Sequence, residues 1–164
     1  MKESKNTWND IVDKLNQKKL TIATMESCTG GAVASEITNI SGASAVLKES
    51  YVTYCNEAKI KQGVPAEIID EYTVYSKETA CEMAKAVKKQ AKSDIGVGVT
   101  GQLGRVDPNN PSDKLNCVWY AVAVENKEPV VKQINVPDEE RKLQKEFVIC
   151  EIANTLLDLL VKKA

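Results

Sequence analysis

The residues best suited to chemistry lie in the stretch TIATMESCTGG, where a serine follows an apolar run and precedes two glycines. Backbone N–H groups at the start of a helix are free to hold an anion or an oxyanion, and Ser27 at such a position could act as a nucleophile. A simpler structural role also fits. Ser27 or Thr29 would then cap the helix, and Gly30 and Gly31 would allow a tight turn.

The chain contains no histidine. This excludes Ser–His–Asp and Cys–His catalytic sets and any histidine-bound metal, so a serine nucleophile would need lysine, aspartate, glutamate or tyrosine as its base. Lys59 follows a second strand–helix junction, and the carboxyl ends of parallel strands meet at one edge of a sheet. A lysine that is partly desolvated there has a lowered pKa and can act as a base. The alternative is a solvated helix lysine, as most lysines are.

The five cysteines are spread along the chain and none is in C-x-x-C spacing. This usage predicts reduced, mostly buried thiols, with neither disulfides nor a zinc site. Cys28 lies at the same predicted helix start as Ser27, a position that lowers a thiol pKa. Its two interpretations are a reactive thiol and a buried packing residue.

Hydrophobic periodicity predicts the elements that must position these residues. Strands are expected at 20–25, 51–55, 94–101, 117–124 and 130–136, and helices at 4–18, 29–39, 56–61, 65–72, 77–92 and from 137 to the end. Helices that recur between strands predict a three-layer α/β domain with a largely parallel sheet, edged by antiparallel strands. No linker or internal repeat is visible, so residues 1–164 are expected to form a single domain.

The glycines at 96, 98 and 101 match the dinucleotide fingerprint G-x-G-x-x-G as a string. That fingerprint requires the glycines after a strand, at the opening of a helix. Here they fall within a predicted strand, and a proline-rich loop follows. Close packing of a neighbouring helix is therefore the better explanation.

Charge and hydropathy limit the partners. The net charge is −1, so no overall field recruits nucleic acid or an acidic membrane. No apolar run is long enough for a membrane span, and the first residues lack the apolar core of a signal peptide. A cytoplasmic protein with neither a nucleic-acid nor a membrane partner is expected.

Two strings carry a family resemblance. ESCTGG at 26–31 and VTYCNEAK at 52–59 resemble the CinA C-terminal domain family, which includes the nicotinamide-nucleotide amidases of PncC type. The similarity covers essentially the whole chain. It implies an α/β/α sandwich with a five-stranded mixed sheet. It also implies hydrolysis of nicotinamide mononucleotide, a small-molecule pyridine nucleotide, to nicotinate mononucleotide and ammonia, without a metal or cofactor.

The resemblance also implies roles for individual residues. Ser27 would be the nucleophile and Lys59 the general base, with Tyr54 orienting the lysine or the substrate. Amides around Cys28 to Gly30 would stabilise the oxyanion. The remaining substrate-binding positions would be Cys28, Thr29, Gly30, Gly31, Asn56, Thr100, Gly101, Arg105 and Arg141.

Three segments depart from the family pattern. Where the family has the stretch GxxGPxGG, this sequence has Gly101 to Pro108, the beginning of an altered loop at 102–115. The family's Gly-Thr-Val is replaced by Asn116 to Val118. The second arginine of the family's final helix is replaced by Lys145. These changes keep open an alternative, a catalytically impaired member that binds a nucleotide or a partner in competence or the DNA-damage response. An apolar seam on the last helix, together with Trp8, predicts a homo-oligomer.

Overall fold

The computed structural model describes residues 2–162, with side chains described from Thr7 onward. In chain order the elements are α1 (Lys2–Lys18), β1 (Ile22–Glu26), α2 (Ala32–Thr38), a 3₁₀ turn (Ala43–Ala45), β2 (Leu47–Val52), α3 (Asn56–Lys61), α4 (Ala66–Tyr72), α5 (Lys77–Ala91), β3 (Ile95–Gln102), β4 (Cys117–Val124), β5 (Val130–Asn135) and α6 (Arg141–Lys162).

The five strands form one mixed sheet in the order β2-β1-β3-β4-β5. Strand β1 is parallel to both of its neighbours, whereas β4 is antiparallel to β3 and to β5. Strand β4 thus runs antiparallel to the other four strands, and the predicted antiparallel edge of the sheet is confirmed in β4 and β5. The parallel pairings place the carboxyl ends of β1, β2 and β3 at one edge of the sheet, where the crossovers to α2 and α3 begin.

Alternating side chains of the buried strands divide the core between two faces of the sheet. In β1, Ile22 packs in a cluster with residues of α1, α2 and α6. Ala23 and Met25 point the other way and pack with residues of α5 and of the segment around α4. Helices therefore cover both faces, which confirms the predicted α/β/α sandwich.

Two glycines of β3 lie directly beneath α5. A Cβ built on Gly96 would meet the carbonyl oxygen of Ala84, and one on Gly98 would meet the carbonyl oxygen of Ala80 and lie 2.6 Å from the Ala84 nitrogen. The helix backbone therefore approaches the strand more closely than any side chain allows. This confirms that Gly96 and Gly98 serve helix packing, whereas a Cβ on Gly101, the third glycine of the string, would meet Val118 of β4.

Gly98→Ala should lower the free energy of unfolding by about 1–3 kcal/mol, because the added methyl group overpacks a site bounded by backbone. Urea denaturation would measure this loss, provided that the dependence of the free energy of unfolding on urea concentration is the same in both proteins. Unchanged stability of the variant would show that α5 is not held against β3 as closely as described.

Strand β2 begins and ends earlier than predicted. The β-branched and aromatic residues at 51–55 suggested the strand, but the ladder runs over Leu47–Val52. Because β2 is an edge strand with mostly exposed or half-buried side chains, its sequence lacks an apolar pattern. After Val52 one further amide, that of Thr53, donates to Glu26 O at 2.8 Å, and the chain then turns into α3.

The last helix buries only part of the predicted apolar seam, which consists of Leu143, Phe147, Cys150, Ala153, Leu157 and Leu160. Ala153 and Leu160 are buried, whereas Leu143 and Phe147 are exposed. Trp8 is buried in the chain's own core, so it supplies no surface for a second copy.

The prediction of mostly buried cysteines is only partly right. Cys28 and Cys117 are buried, Cys81 and Cys150 are intermediate and Cys55 is exposed, all as free thiols.

Among the helices that the structure describes, none combines the length and the apolar character needed to cross a membrane.

Candidate active site

An open cavity of about 910 Å³ lies at the edge of the sheet where β1 and β3 end and α3 begins. Cavities of this size hold small molecules such as nucleotides. Of the residues implied as a site by the sequence, eight line it: Ser27, Cys28, Tyr54, Asn56, Lys59, Gly101, Arg105 and Arg141. The other four are Thr29, Gly30, Gly31 and Thr100, and they do not line it.

Glu26, and neither Ser27 nor Thr29, caps helix α2. Its side chain is fully buried, and its Oε1 accepts hydrogen bonds from the Val33 amide at 2.8 Å and the Thr29 hydroxyl at 2.7 Å. Its Oε2 accepts from the Ala34 amide at 3.0 Å. The carboxylate thus takes the place of a cap side chain. The hydroxyl of Ser27 is therefore not used by the helix.

The helix starts at Ala32 and not at the predicted residue 29. Gly30 and Gly31 have φ angles of 62° and 92°, in the left-handed region that favours glycine. The chain makes a turn there, in which the Gly30 amide donates to Ser27 O at 2.9 Å. The expected anion site at the helix start is consequently closed, because Glu26 already accepts from the Val33 and Ala34 amides.

Ser27 and Lys59 meet at the floor of the cavity. Lys59 Nζ lies 3.1 Å from Ser27 Oγ, and it also donates a hydrogen bond of 2.7 Å to the Thr53 carbonyl oxygen. Both side chains are buried, with exposed fractions of 7% for Ser27 and 1% for Lys59. The β2–α3 crossover brings the lysine to the end of β1, the edge at which the sequence predicted the two residues to meet.

Burial lowers the pKa of Lys59 to about 8 from its ordinary value of 10.5. Removal of the ammonium from water is the largest cause, because a desolvated site disfavours the charged form. Among the described residues no carboxylate forms an ion pair with it. The neutral amine is therefore accessible near physiological pH. The interpretation of Lys59 as a solvated helix lysine is excluded by this burial.

Cys28 has the opposite electrostatic character. Desolvation by burial raises the pKa of its thiol to about 12, even though Lys59 and Arg141 act to lower it. A thiol in this state is protonated at neutral pH and is a poor nucleophile. Of the two interpretations of Cys28, the structure supports buried packing.

The backbone next to Ser27 keeps donors available. Among the described residues, no backbone or side-chain oxygen accepts a hydrogen bond from the amides of Cys28 and Thr29, whereas that of Gly30 is used. The amide of Cys28 belongs to a cavity-lining residue beside the Ser27 hydroxyl. It is thus a donor that an oxyanion formed at Ser27 can use.

The four predicted residues outside the cavity have structural roles. The Thr29 hydroxyl donates to Glu26, and that of Thr100 donates to the Val74 carbonyl at 2.9 Å. A Cβ on Gly31 would contact the Val52 side chain, and one on Gly30 would lie 3.6 Å from Lys145 Nζ. Lys145, one of the departures from the family pattern, therefore packs over the turn outside the cavity.

Arg141 joins two walls of the cavity. One guanidinium nitrogen donates to the Leu103 carbonyl, and the other donates to the Tyr54 hydroxyl at 3.2 Å. Arg141 and Arg105 are exposed and line the cavity, so both can reach an anionic group bound there. Arg141, at the start of α6, thereby connects Tyr54 to the loop after β3.

The altered loop after β3 is held by polar contacts that the sequence did not predict. Asp107 accepts hydrogen bonds from the Asn110 side chain at 3.0 Å, the Asn109 amide at 2.9 Å and the Tyr75 hydroxyl at 3.2 Å. Asn110 accepts one from Asn56 at 2.8 Å. The loop is thus tied to the starts of α3 and α5. The run Asp-Pro-Asn-Asn was a signal for such a turn, but not for its partners.

Asn116 is the second departure from the family pattern, since it stands at the position of the glycine in Gly-Thr-Val. It has a φ of 56°, the left-handed conformation that glycine adopts freely and that asparagine tolerates better than most residues. Its side-chain oxygen accepts from the Gly104 amide at 2.9 Å and from Gln144 at 3.0 Å. Asparagine therefore accommodates this turn and adds two contacts that close the loop.

Comparison with known proteins agrees with this architecture. The model of the family described as CinA C-terminal domain matches residues 4–160. A CinA-like protein of Kosmotoga olearia is 38% identical over 135 residues, which are 82% of this chain and 32% of that protein. A putative competence-damage inducible protein of Clostridium perfringens is 46% identical over 104 residues, 62% of this chain and 25% of that protein. The chain thus spans about a third or less of these relatives.

Solved structures show the same fold. The competence/damage inducible protein CihA of Agrobacterium tumefaciens has a TM-score of 0.83 and 26% identity, covering 97% of this chain and 94% of that one. A CinA superfamily protein of Klebsiella pneumoniae has a TM-score of 0.87 at 20% identity, covering 97% and 98%. With the family match over nearly the whole sequence, the chain belongs to the CinA C-terminal domain family.

Proposed function

We propose that this chain hydrolyses the carboxamide of a pyridine nucleotide, converting nicotinamide mononucleotide to nicotinate mononucleotide and ammonia. The observation that carries the proposal is the buried contact of 3.1 Å between Ser27 Oγ and Lys59 Nζ at the floor of a nucleotide-sized cavity. A serine and a lysine so placed form a nucleophile–base pair that needs no histidine.

The lysine is suited to take the serine proton. In its neutral form the amine keeps an N–H for the Thr53 carbonyl, at 2.7 Å, and its lone pair can then accept from the Ser27 hydroxyl. A pKa of about 8 places the base near the pH at which it must work. The cationic pyridinium of the substrate adds to the preference for a neutral lysine.

The reaction would proceed in two stages. Ser27 Oγ attacks the carboxamide carbon as its proton passes to Lys59 Nζ, and the Cys28 amide donates to the resulting oxyanion. Lys59 then returns the proton to the leaving nitrogen, the C–N bond breaks, and ammonia departs. A water attacks the ester on Ser27 with Lys59 as base, which releases the acid and restores the serine.

The cations at the rim fit the rest of the nucleotide. Arg105 and Arg141 line the cavity and can pair with the phosphate, and arginine binds phosphate through two parallel N–H groups. Tyr54 is held by Arg141 at 3.2 Å beside the same opening. The distribution favours a substrate with an uncharged carboxamide at the floor and an anion at the rim.

The test is to incubate the protein with nicotinamide mononucleotide and to measure ammonia and nicotinate mononucleotide together. Equal amounts of both products, formed equally fast by Cys28→Ala, would support the proposal. Failure of the wild type to release ammonia, together with tight binding of the nucleotide, would support the alternative of a catalytically impaired ligand-binding member.

The activity should depend on pH through Lys59. Because only the neutral amine accepts the serine proton, kcat/KM for the nucleotide should rise about tenfold per pH unit below 8 and level off above it. Initial rates between pH 6 and 10 would measure this dependence. A flat profile over that range would show that Lys59 is not the base.

A further inference from the structure

Two side-chain atoms in the cavity wall are buried without a partner. Among the residues that the structure describes, Asn56 Oδ1 and Gln102 Nε2 form no hydrogen bond. Both residues line the cavity, and Gln102 is only 3% exposed. Buried polar groups are nearly always paired, so an unpaired acceptor and an unpaired donor beside one cavity point to a ligand that supplies both partners.

The loop after β3 determines which atom of the Gln102 side-chain amide remains unpaired. The Asp107 backbone amide donates to Gln102 Oε1 at 2.8 Å. A backbone N–H can only donate, so the oxygen must face it and the NH₂ group must face away. The unpaired group of Gln102 is therefore a donor.

Asp107 also fixes the orientation of the Asn56 side-chain amide, acting through Asn110. An ionised carboxylate only accepts, so Asn110 must turn its NH₂ group toward Asp107 Oδ2, at 3.0 Å. Asn110 Oδ1 then accepts from Asn56 Nδ2 at 2.8 Å. Asn56 Oδ1 is left as an acceptor. Asp107 thus determines the orientation of both amides, through its backbone N–H for Gln102 and through its carboxylate for Asn56.

We propose that Asn56 Oδ1 and Gln102 Nε2 form a carboxamide subsite. The NH₂ group of the substrate donates to Asn56 Oδ1, and its carbonyl oxygen accepts from Gln102 Nε2. This inference rests on the proposed function, because it assigns the groups that hold the scissile amide of that reaction. It also gives a role to the altered loop, whose Asp107 and Asn110 orient the two amides.

The subsite distinguishes the substrate from the product. A carboxylic acid product is ionised at neutral pH and has no N–H, so one of its oxygens would face Asn56 Oδ1 with no hydrogen bond between them. A site built to bond an N–H rejects the analogue that lacks it. The amide is therefore held and the acid is released.

The experiment compares the affinities of nicotinamide mononucleotide and nicotinate mononucleotide for the Ser27→Ala protein, which cannot turn the amide over. Calorimetric titration should show the amide bound at least about tenfold tighter than the acid. Adding Asn56→Leu should remove this preference by weakening the amide and strengthening the acid. Asp107→Asn should reduce the preference for the amide to about threefold or less. A side-chain amide at this position can donate as well as accept, so the amides of Asn110 and Asn56 can both turn round.

The matched control is Tyr75→Phe. It removes the Tyr75 hydroxyl that donates to Asp107 at 3.2 Å, but leaves the bonds that orient both amides, so the ratio of the two affinities should stay within about threefold of the parent. A wild type that hydrolyses the nucleotide, with an unchanged ratio in both Asn56→Leu and Asp107→Asn, overturns the subsite alone. A wild type that neither hydrolyses nor binds the nucleotide overturns the proposed function as well.

Discussion

Replacement of Lys59 with methionine should reduce the rate of ammonia release by about 10²–10⁴-fold and, at the same time, make the protein more stable at pH 7. The loss of rate follows because methionine cannot take the proton of Ser27 Oγ, which lies 3.1 Å from the lysine nitrogen. The gain in stability follows because the site is dry, and methionine fills a similar volume without a charge.

The size and sign of the stability change follow from the pKa. A folded-state pKa of about 8 against an ordinary value of 10.5 means that, between these two values, the unfolded chain binds the proton more tightly than the folded one. Folding therefore carries a penalty of about 3 kcal/mol below pH 8, and this penalty disappears as the pH rises toward 10.5. Lys59→Met lacks the penalty at every pH.

Urea denaturation at pH 7 and at pH 10 tests both signs. The methionine variant should exceed the wild type by up to about 3 kcal/mol at pH 7, and the difference should shrink by pH 10. Lys59→Arg is the matched control, because it keeps a charge that cannot be removed and should lose both activity and stability. Full activity in the methionine variant would show that Lys59 is not the general base.

Removal of the Glu26 carboxylate should cost more stability than any other single change near the site. Glu26→Leu leaves the Val33 and Ala34 amides and the Thr29 hydroxyl without their acceptor in the core. Unpaired buried donors of this kind cost about 1–3 kcal/mol each, so a loss of about 3–5 kcal/mol in the free energy of unfolding is expected.

Thr29→Val provides the graded comparison. It removes one donor to the carboxylate, the hydroxyl at 2.7 Å, but leaves the helix amides capped, so it should cost only about 1 kcal/mol. Denaturation of the two variants in parallel measures the difference between them. Equal losses in both would show that the carboxylate does not hold the start of α2.

Much of the fold could be predicted because periodic patterns are local. The buried strands β3 and β4 and helix α5 carried clear apolar patterns, and their observed bounds differ from the predicted ones by no more than one residue. Edge strand β2 was misplaced because its exposed side chains carry no such pattern. The sequence of α6 fits more than one apolar face, and tertiary packing selected the one containing Val148 and Ile152.

The site was predictable where chemistry restricted the choice. The absence of histidine left few bases, and strand-end topology then brought Lys59 to Ser27, with Tyr54 and Arg141 at the same cavity. The role of Glu26 was missed because a cap was sought only among the hydroxyl residues beside the glycines. The contacts of Asp107 and Asn110 could not be found, because loop partners depend on tertiary distances that no local pattern encodes.

The most direct measurement of the central claim is the initial rate of ammonia release from nicotinamide mononucleotide by the Ser27→Ala protein at pH 9, where Lys59 is neutral. If Ser27 Oγ is the nucleophile, the rate should fall by about 10⁴-fold or more relative to the wild type, while the variant still binds the nucleotide. A Ser27→Ala rate within tenfold of an active wild type would contradict the account.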